Sequence, residues 1–178
     1  VEAVDLLQGQ DMTGGMQSLN NAEALLEYKF AHAIQKLTAG KVPNVGYLIG
    51  NGQPLSYNVY DLIERTLKPS YGFGFVPIDS VPFIPNDFDA LLVVKPTVPF
   101  NDEQKLKLDQ YVMQGGKIIW MIDRLYAEMD SLMRRQSDFI AYDRNLNLDD
   151  LLFKYGIRIN GDLVQDLQCD QLPMVVGN

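Results

Sequence analysis

Short apolar runs recur along the chain, separated by longer segments in which apolar and polar residues alternate at helical spacing. Glycine, proline and asparagine bound each run, which is typical of strands. Strands that are apolar throughout are usually buried on both faces, as in parallel sheets. The pattern therefore predicts a parallel sheet with four strands: Val45–Ile49, Tyr71–Ile78, Ala90–Val94 and Lys117–Ile122.

Three amphipathic helices are predicted before and between these strands, because their apolar positions repeat at three- and four-residue intervals. Asn20 and Glu23 resemble a capping box ahead of the first helix, and Asn101 can cap the third, which Gly115-Gly116 ends. The predicted core faces are Leu26, Phe30, Ala33, Ile34 and Leu37; then Leu55, Val59, Leu62, Ile63 and Leu67; then Leu108, Tyr111 and Val112.

The last third of the chain has a weaker pattern. Leu125, Met129, Leu132 and Met133 predict another helix. Asn147 is placed to cap a short helix that ends at Gly156 in the left-handed position, and Ile157–Leu167 is expected to be extended. Residues 173–178 read like the beginning of another strand.

Strands that alternate with amphipathic helices predict an α/β fold in three layers, with a mostly parallel sheet covered by helices. We expect residues 1–19 to be a loop, or part of a strand at Val4–Leu7, that belongs to a preceding region. Residues 20–178 form the predicted α/β domain. The chain starts at Val1 without methionine and stops within strand-like sequence, so we interpret it as a fragment truncated at its C-terminus.

The net charge and the cysteine and histidine counts disfavour several classes of function. The formal net charge is −8, which disfavours binding to a phosphate backbone, so no nucleic-acid partner is predicted. Cys169 is the single cysteine and His32 the single histidine, which excludes a disulfide framework and argues against the usual metal sites. No apolar run approaches the roughly 20 residues that span a bilayer.

The carboxyl ends of parallel strands are where open α/β sheets bind ligands. The first predicted strand ends in Gly50-Asn51-Gly52-Gln53, which is neither a dinucleotide fingerprint nor a P-loop. The two glycines permit either a close backbone approach to a ligand or a tight turn between strand and helix. The tight turn is the favoured interpretation.

Two further strand ends carry polar residues. Lys95-Pro96-Thr97 follows the third strand, where Lys95 faces either an anion or solvent, and solvent is favoured. Asp123 follows the fourth strand, next to Arg124, and such an aspartate serves as a base, a metal ligand or a helix cap. Capping is favoured, and no catalytic residue, metal site or cofactor is predicted.

Five segments, taken together in order and spacing, resemble the GldG-like auxiliary component of the gliding-motility-associated ABC transport system of Bacteroidetes. The most specific is the Asp-Gln-Tyr-x-x-x-Gly-Gly-Lys run that begins at Asp109 and leads into an apolar strand ending in Asp123. The similarity covers roughly residues 20–178, and the segments are Tyr28–Leu37, Val45–Gln53, Asp89–Pro96, Leu108–Asp123 and Leu151–Ile159.

The resemblance implies a flavodoxin-like fold of the class I glutamine-amidotransferase type. It also implies a domain outside the cytoplasm, at the periplasmic face of the inner membrane, held there by helices outside this fragment. The implied partners are an ABC permease and an ATPase of the same system. Members are not known as enzymes, so the expected role is a non-catalytic interaction domain.

One departure from the relatives concerns the first strand end. Many of them carry Gly-His-Gly-Glu, where this chain has Gly50-Asn51-Gly52-Gln53, so two neutral amides replace an ionisable pair. The cysteine and histidine of the amidotransferase triad have no counterpart, since the candidate strand ends hold Pro96 and Asp123.

Neutral amides still form hydrogen bonds, which leaves a second hypothesis open. In it, the domain binds a small polar ligand such as a sugar or glycan. The predicted ligand-binding residues are Gly50, Asn51, Gly52, Gln53, Thr97 and Asp123. A divergent hydrolase that uses Asp123 and a tyrosine is the least favoured alternative.

Overall fold

A computed structural model of the chain describes residues 4, 6, 16–127 and 140–164. Its centre is a parallel four-stranded sheet in the order β2-β1-β3-β4. The fold class predicted from the sequence, a three-layer α/β architecture on a parallel sheet, is therefore confirmed. The strands are β1 (Asn44–Ile49), β2 (Gly72–Pro77), β3 (Ala90–Val94) and β4 (Ile118–Met121).

Helical segments precede, connect and follow these strands, and a two-stranded antiparallel ribbon follows β4. The α-helices are α1 (Met16–Ala24), α2 (Leu26–Thr38), α3 (Asp102–Met113) and α4 (Asp149–Lys154). A 3₁₀ turn (Ser56–Val59) and a π-helix (Asp61–Leu67) connect β1 to β2. The ribbon consists of β5 (Leu125–Tyr126) and β6 (Tyr142–Asp143).

The sheet carries a separate apolar cluster on each face, because successive strand residues point to opposite sides. On the first face, Leu91 and Val93 of β3 pack in one cluster with residues of α3 and α4. On the second face, Leu92 clusters with Tyr47 of β1 and Leu67 of the π-helix. The second face is less covered near β4, where Ile119 is 48% exposed.

The N-terminal helices differ from the prediction. Asn20 lies inside α1, which already begins at Met16, so it does not cap the helix as predicted. Of the predicted core face on α2, only Ala33 is buried, whereas Phe30, Ile34 and Leu37 are exposed. The spacing identified the helix correctly but not its partner, because periodicity gives an apolar face without saying what covers it.

The segment between β1 and β2 is helical, as predicted, but it is not an α-helix. The hydrogen bond from Lys68 N to Ile63 O spans five residues, as in a π-helix. Val59, Ile63 and Leu67 are buried, whereas Leu55, predicted to lie in the core, is 46% exposed.

The start and the end of α3 were predicted correctly. Asn101 caps it through a complete capping box with Gln104. After the helix, Gly115 has a φ of +94° and Gly116 N donates to Tyr111 O at 2.9 Å. A Cβ on Gly116 would lie 2.4 Å from Tyr111 Cζ, which explains the Tyr-x-x-x-Gly-Gly spacing of the most specific segment.

After β4, the described residues differ from two of the predictions. Leu125 begins strand β5 instead of a helix, and the rest of that predicted helix, 129–133, lies outside the described residues. Residues 157–164 form no strand, and 165–167 lie outside the described residues, as do 173–178 and Cys169. Val4 and Leu6, for which a strand was one of two predictions, are not in a strand.

The short helix α4 is present where it was expected, with a different start. Asn147 does not cap it; its φ is +56° and its Nδ2 donates to Phe100 O at 2.7 Å. Leu148 is the N-cap residue, without a side-chain hydrogen bond. At the other end, Gly156 has a φ of +77°, which confirms the predicted left-handed position.

Candidate functional site at the strand ends

The loops after β1 and β3 join directly at the carboxyl end of the sheet. The backbone amides of Thr97 and Val98 donate to Asn51 O at 2.9 and 3.0 Å. Thr97 Oγ1 also donates to Gly52 O at 3.1 Å. The structure therefore brings together the predicted residues Gly50–Gln53 and Thr97, and it does so through hydrogen bonds between the two loops.

The Asn51 side chain lies at the centre of this junction and is 1% exposed. Its Nδ2 donates to Pro99 O at 3.2 Å and to Gln104 Oε1 at 2.9 Å. Its backbone amide donates to Gln53 Oε1 at 2.8 Å. Position 51 thus uses both donors of a neutral amide to join two other segments of the chain.

Gln104, on the first turn of α3, extends this network to β2. Its Oε1 accepts from Asn51 and from the backbone amide of Asn101, and its Nε2 donates to Asp79 Oδ1 at 2.6 Å. Asp79 follows β2 and is exposed. A chain of side-chain amides therefore connects the ends of β1, β2 and α3.

The glycines of the first loop are required by close packing. Gly52 has a φ of +71°, and a Cβ there would lie 2.1 Å from Thr97 Oγ1. A Cβ on Gly50 would lie 2.8 Å from Ile78 Cγ2. Both positions thus allow one loop to approach its neighbours, which supports the tight-turn interpretation of Gly50–Gln53.

Two polar atoms of this loop remain without a hydrogen-bond partner within the described part of the chain. They are Asn51 Oδ1, an acceptor, and Gln53 Nε2, a donor, and both are enclosed by protein. Burying such an atom unpaired costs about 1–3 kcal/mol. These two atoms are what the loop could offer a ligand, but neither is open to solvent in this conformation.

Asp123, the remaining predicted site residue, lies apart from that network and does not cap a helix. Its Oδ2 is 3.8 Å from Lys95 Nζ, and both side chains are well exposed. No helix follows it within 124–127, where the chain turns into β5, so the capping interpretation is wrong. An exposed ion pair of this kind contributes about 0–1 kcal/mol.

At the buried junction around Asn51, the available chemistry is that of neutral amides. Asn51, Gln53 and Gln104 donate and accept hydrogen bonds but do not exchange protons near neutral pH. Among the described residues, no group of three or more histidine, cysteine, aspartate or glutamate side chains is arranged to hold a metal ion.

Arg124, next to Asp123, has a structural role that sequence reasoning missed. Its Nε donates to Asp143 Oδ2 at 3.0 Å, and its Nη1 donates to Asp149 Oδ1 at 3.1 Å and to Ile159 O. The Asp143 hydrogen bond is the main reason that the pKa of Arg124 is raised. Arg124 thus joins β6, α4 and the segment after α4, and no local motif connects partners so far apart in sequence.

A second polar bridge joins α3 to α4. Lys105 Nζ lies 2.9 Å from Asp150 Oδ2 and 3.1 Å from Asp102 Oδ1, and its side chain is 11% exposed. The hydrogen bond with Asp150 raises the pKa of Lys105 and lowers that of Asp150. Both groups are therefore charged at neutral pH, so the bridge holds α4 against α3.

Tyr155 allows a test of this packing by titration. Its hydroxyl donates to Asp109 Oδ1 at 2.7 Å. Burial, followed by the neighbouring Asp109 carboxylate, raises the pKa of Tyr155 to about 12. We expect an ultraviolet titration to show that Tyr155 ionises near this value, and Asp109→Asn to lower its pKa.

The same shift has a consequence for stability. An unfolded tyrosine ionises near pH 10, whereas folded Tyr155 keeps its proton to about pH 12. Its contribution to stability is therefore complete below pH 10 and is lost as the pH rises towards 12. If Asp109→Asn leaves all tyrosine ionisations unchanged, the Tyr155–Asp109 contact does not form in solution.

Within the described residues, no helix combines the length and the apolar character needed to cross a membrane.

A comparison with protein families gives a match over most of the chain. Residues 42–178, more than half of the chain, match the model of a family of ABC transport auxiliary proteins described as "ABC-type uncharacterized transport system". Neither the curated proteins nor the solved structures compared with the chain match it. The matched region begins just before β1 and includes every strand of the sheet. The chain therefore belongs to this family of auxiliary components of ABC-type transport systems.

Proposed function

We propose that the protein is a non-catalytic interaction domain of an ABC-type transport system, of the GldG-like kind linked to gliding motility. The family match supports the association with a transport system. The five segments that resemble the GldG-like component support the finer assignment, and the flavodoxin-like character of the fold is part of the same proposal.

The proposal of a non-catalytic role rests on one observation: the side-chain amides at the strand ends bond to other groups of the protein. In open α/β sheets, reactants bind in the crevice beyond the carboxyl ends of the strands. Here the Asn51 side chain is 1% exposed and its amide bridges Pro99 O and Gln104 Oε1. At this junction the protein's own groups take the hydrogen bonds that Asn51 could otherwise give to a substrate, which supports a non-catalytic role.

The same geometry weakens the second hypothesis, a sugar- or glycan-binding module. A ligand at Gly50–Gln53 would have to displace the Thr97 and Val98 amides from Asn51 O. It would also have to reach Asn51 Oδ1 and Gln53 Nε2, which are enclosed. No observation favours that rearrangement over the closed loops, so we do not adopt this function.

For the partners and the location, the proposal follows the resemblance. The domain lies at the periplasmic face of the inner membrane, anchored by helices outside this domain. Its partners are the permease and the ATPase of its own system.

The decisive experiment is affinity purification of the tagged full-length protein from its native membrane in mild detergent. We expect an ABC ATPase and a permease to be recovered with it, and not with a tagged, membrane-anchored periplasmic protein of another system. Recovery of neither subunit would contradict the proposed partners. Hydrolase or amidotransferase turnover by the purified domain, abolished by Asp123→Asn, would contradict the non-catalytic role.

A further inference from the structure

Asparagine is followed directly by glycine at two places in the chain, Asn51-Gly52 and Asn160-Gly161. This dipeptide is the one most prone to lose the side-chain amide without any enzyme. Glycine has no side chain, so its backbone nitrogen can approach Cγ of the preceding asparagine. The two sites have comparable intrinsic reactivity, and a large difference between them has to come from the fold.

The reaction replaces the asparagine amide with a carboxyl group in two steps. The glycine nitrogen loses its proton and bonds to Cγ, while the bond from Cγ to Nδ2 breaks and Nδ2 leaves with that proton as ammonia. Water then opens the resulting cyclic imide at either carbonyl, which gives aspartate or isoaspartate. The first step requires the asparagine side chain and its peptide bond to rotate until Cγ faces the glycine nitrogen.

Asn160 is placed where this rotation meets little resistance. Asn160 and Gly161 are both exposed, and neither lies in a helix or a strand. A Cβ on Gly161 would meet only Arg124 Nε, at the ordinary contact distance of 3.6 Å. Solvent therefore reaches both residues, and it supplies the water that opens the imide.

Asn51 is held in the opposite way by the junction between the loops after β1 and β3. Its Nδ2, the leaving group, donates to Pro99 O at 3.2 Å and to Gln104 Oε1 at 2.9 Å. Its backbone carbonyl accepts from two amides of the loop after β3, which fixes the peptide bond to Gly52. The residue is 1% exposed. All these hydrogen bonds have to break before Cγ can turn to the Gly52 nitrogen.

We propose that Asn160 is a site of spontaneous deamidation and that the closed junction protects Asn51 from the same reaction. Asn51 then reacts only while the two loops are separated. The product at position 51 is a carboxylate that faces Pro99 O and Gln104 Oε1, so the original hydrogen bonds cannot form again. Deamidation of Asn51 therefore makes an opening of the junction irreversible. This inference stands whether or not the proposed transport function is correct.

The test compares the two asparagines within one molecule. The purified full chain is kept in heavy-oxygen water at mildly alkaline pH, and peptide mass spectrometry follows the deamidated fraction at each position. A sample unfolded in urea gives the intrinsic rates. Gln104→Ala removes an acceptor of Asn51 Nδ2, and Gln110→Ala, at an exposed position of the same helix, is its matched control.

A second variant, Thr97→Val, guards against a Gln104→Ala chain that fails to fold. It removes only the 3.1 Å hydrogen bond from Thr97 Oγ1 to Gly52 O and keeps the size of the side chain. Gly161→Ala tests the chemistry at the other site, because its new methyl group hinders attack on Asn160.

We expect Asn160 to deamidate roughly tenfold faster or more than Asn51 in the folded chain, since Asn51 reacts only from a locally opened state. In urea the two rates should become similar. Gln104→Ala, and to a smaller extent Thr97→Val, should speed deamidation of Asn51 and leave that of Asn160 unchanged. Gln110→Ala should alter neither rate, and Gly161→Ala should slow only Asn160.

Three results would overturn the proposal. In the first, Asn51 deamidates as fast as Asn160 in the folded chain. In the second, Asn51 stays slow in urea, which would mean that the fold is not what protects it. In the third, Gln104→Ala and Thr97→Val both leave the rate at Asn51 equal to that of the Gln110→Ala control.

Discussion

Replacing Asn51 with aspartate is expected to lower the free energy of unfolding by about 3–5 kcal/mol at neutral pH, the cost of a buried charge without a partner. Nδ2 of Asn51 donates to Pro99 O and Gln104 Oε1, and the substitution turns this donor into a third oxygen facing two others. The site is 1% exposed, so water cannot compensate. Urea unfolding of both chains gives the difference directly.

The loss of unfolding free energy caused by Asn51→Asp, called the deficit below, should depend on pH in a defined direction. Burial and the facing oxygens raise the pKa of the new carboxyl group above its value of about 3.9 in the unfolded chain. The unfolded state therefore releases the proton first, and the deficit of Asn51→Asp grows as the pH rises above 4. Below that pH the neutral acid regains one donor, and the deficit shrinks.

Asp123→Asn is the matched control, since it also exchanges a carboxylate and an amide, in the reverse direction, but at an exposed site. It removes only the 3.8 Å ion pair with Lys95 and should change stability by at most about 1 kcal/mol. A loss below about 1 kcal/mol for Asn51→Asp at neutral pH would show that Asn51 does not join the loops as described.

Replacing Gly116 with alanine is expected to cost about 1–3 kcal/mol, the usual penalty for overpacking a core. The new Cβ would lie 2.4 Å from Cζ of Tyr111, whose ring is 1% exposed. The ring cannot easily move, because its hydroxyl donates to Phe88 O at 3.0 Å. Urea unfolding again measures the effect.

Gly40→Ala provides the control, because a Cβ there meets nothing within 4 Å. Its effect should stay within about 0.5 kcal/mol. If the Tyr111 ring is the cause, Gly116→Ala combined with Tyr111→Leu should cost clearly less than the sum of the two single changes. If the losses of unfolding free energy are additive, the Cβ at position 116 does not clash with the Tyr111 ring.

The parallel sheet could be predicted because its signals are local. Ala90–Val94 is apolar throughout, and β3 has the predicted bounds. Asn101 and Gly115 lie at the ends of α3 and determine its start and end through bonds to nearby backbone groups. Such features depend on a few neighbouring residues, so the sequence carries them directly.

Features that depend on distant partners could not be predicted. Asparagine is a common helix cap, but the side-chain amide of Asn147 donates a hydrogen bond to Phe100 O, 47 residues away. Leu125 fits a helical pattern, yet it pairs with Asp143 in the ribbon. In both cases a long-range contact overrides a local preference.

At the strand-end site, the loop could be predicted from local residues, whereas the partners of its side chains could not. Glycines at positions 50 and 52 identified the loop, but Gln104 was predicted only as part of a helix, although it is the residue that meets Asn51. Arg124 was noted beside Asp123, and nothing in its surroundings indicated Asp143 or Asp149 as partners.

The junction at Asn51 also has a mechanical consequence. It binds the central strand β1 to the loop after β3 and to the first turn of α3 through buried hydrogen bonds. A force applied to α3 is therefore transmitted to the end of β1 through these hydrogen bonds, and it does not have to pass along the chain between them. Because these hydrogen bonds act in parallel, we expect them to resist separation of α3 from the end of β1 together.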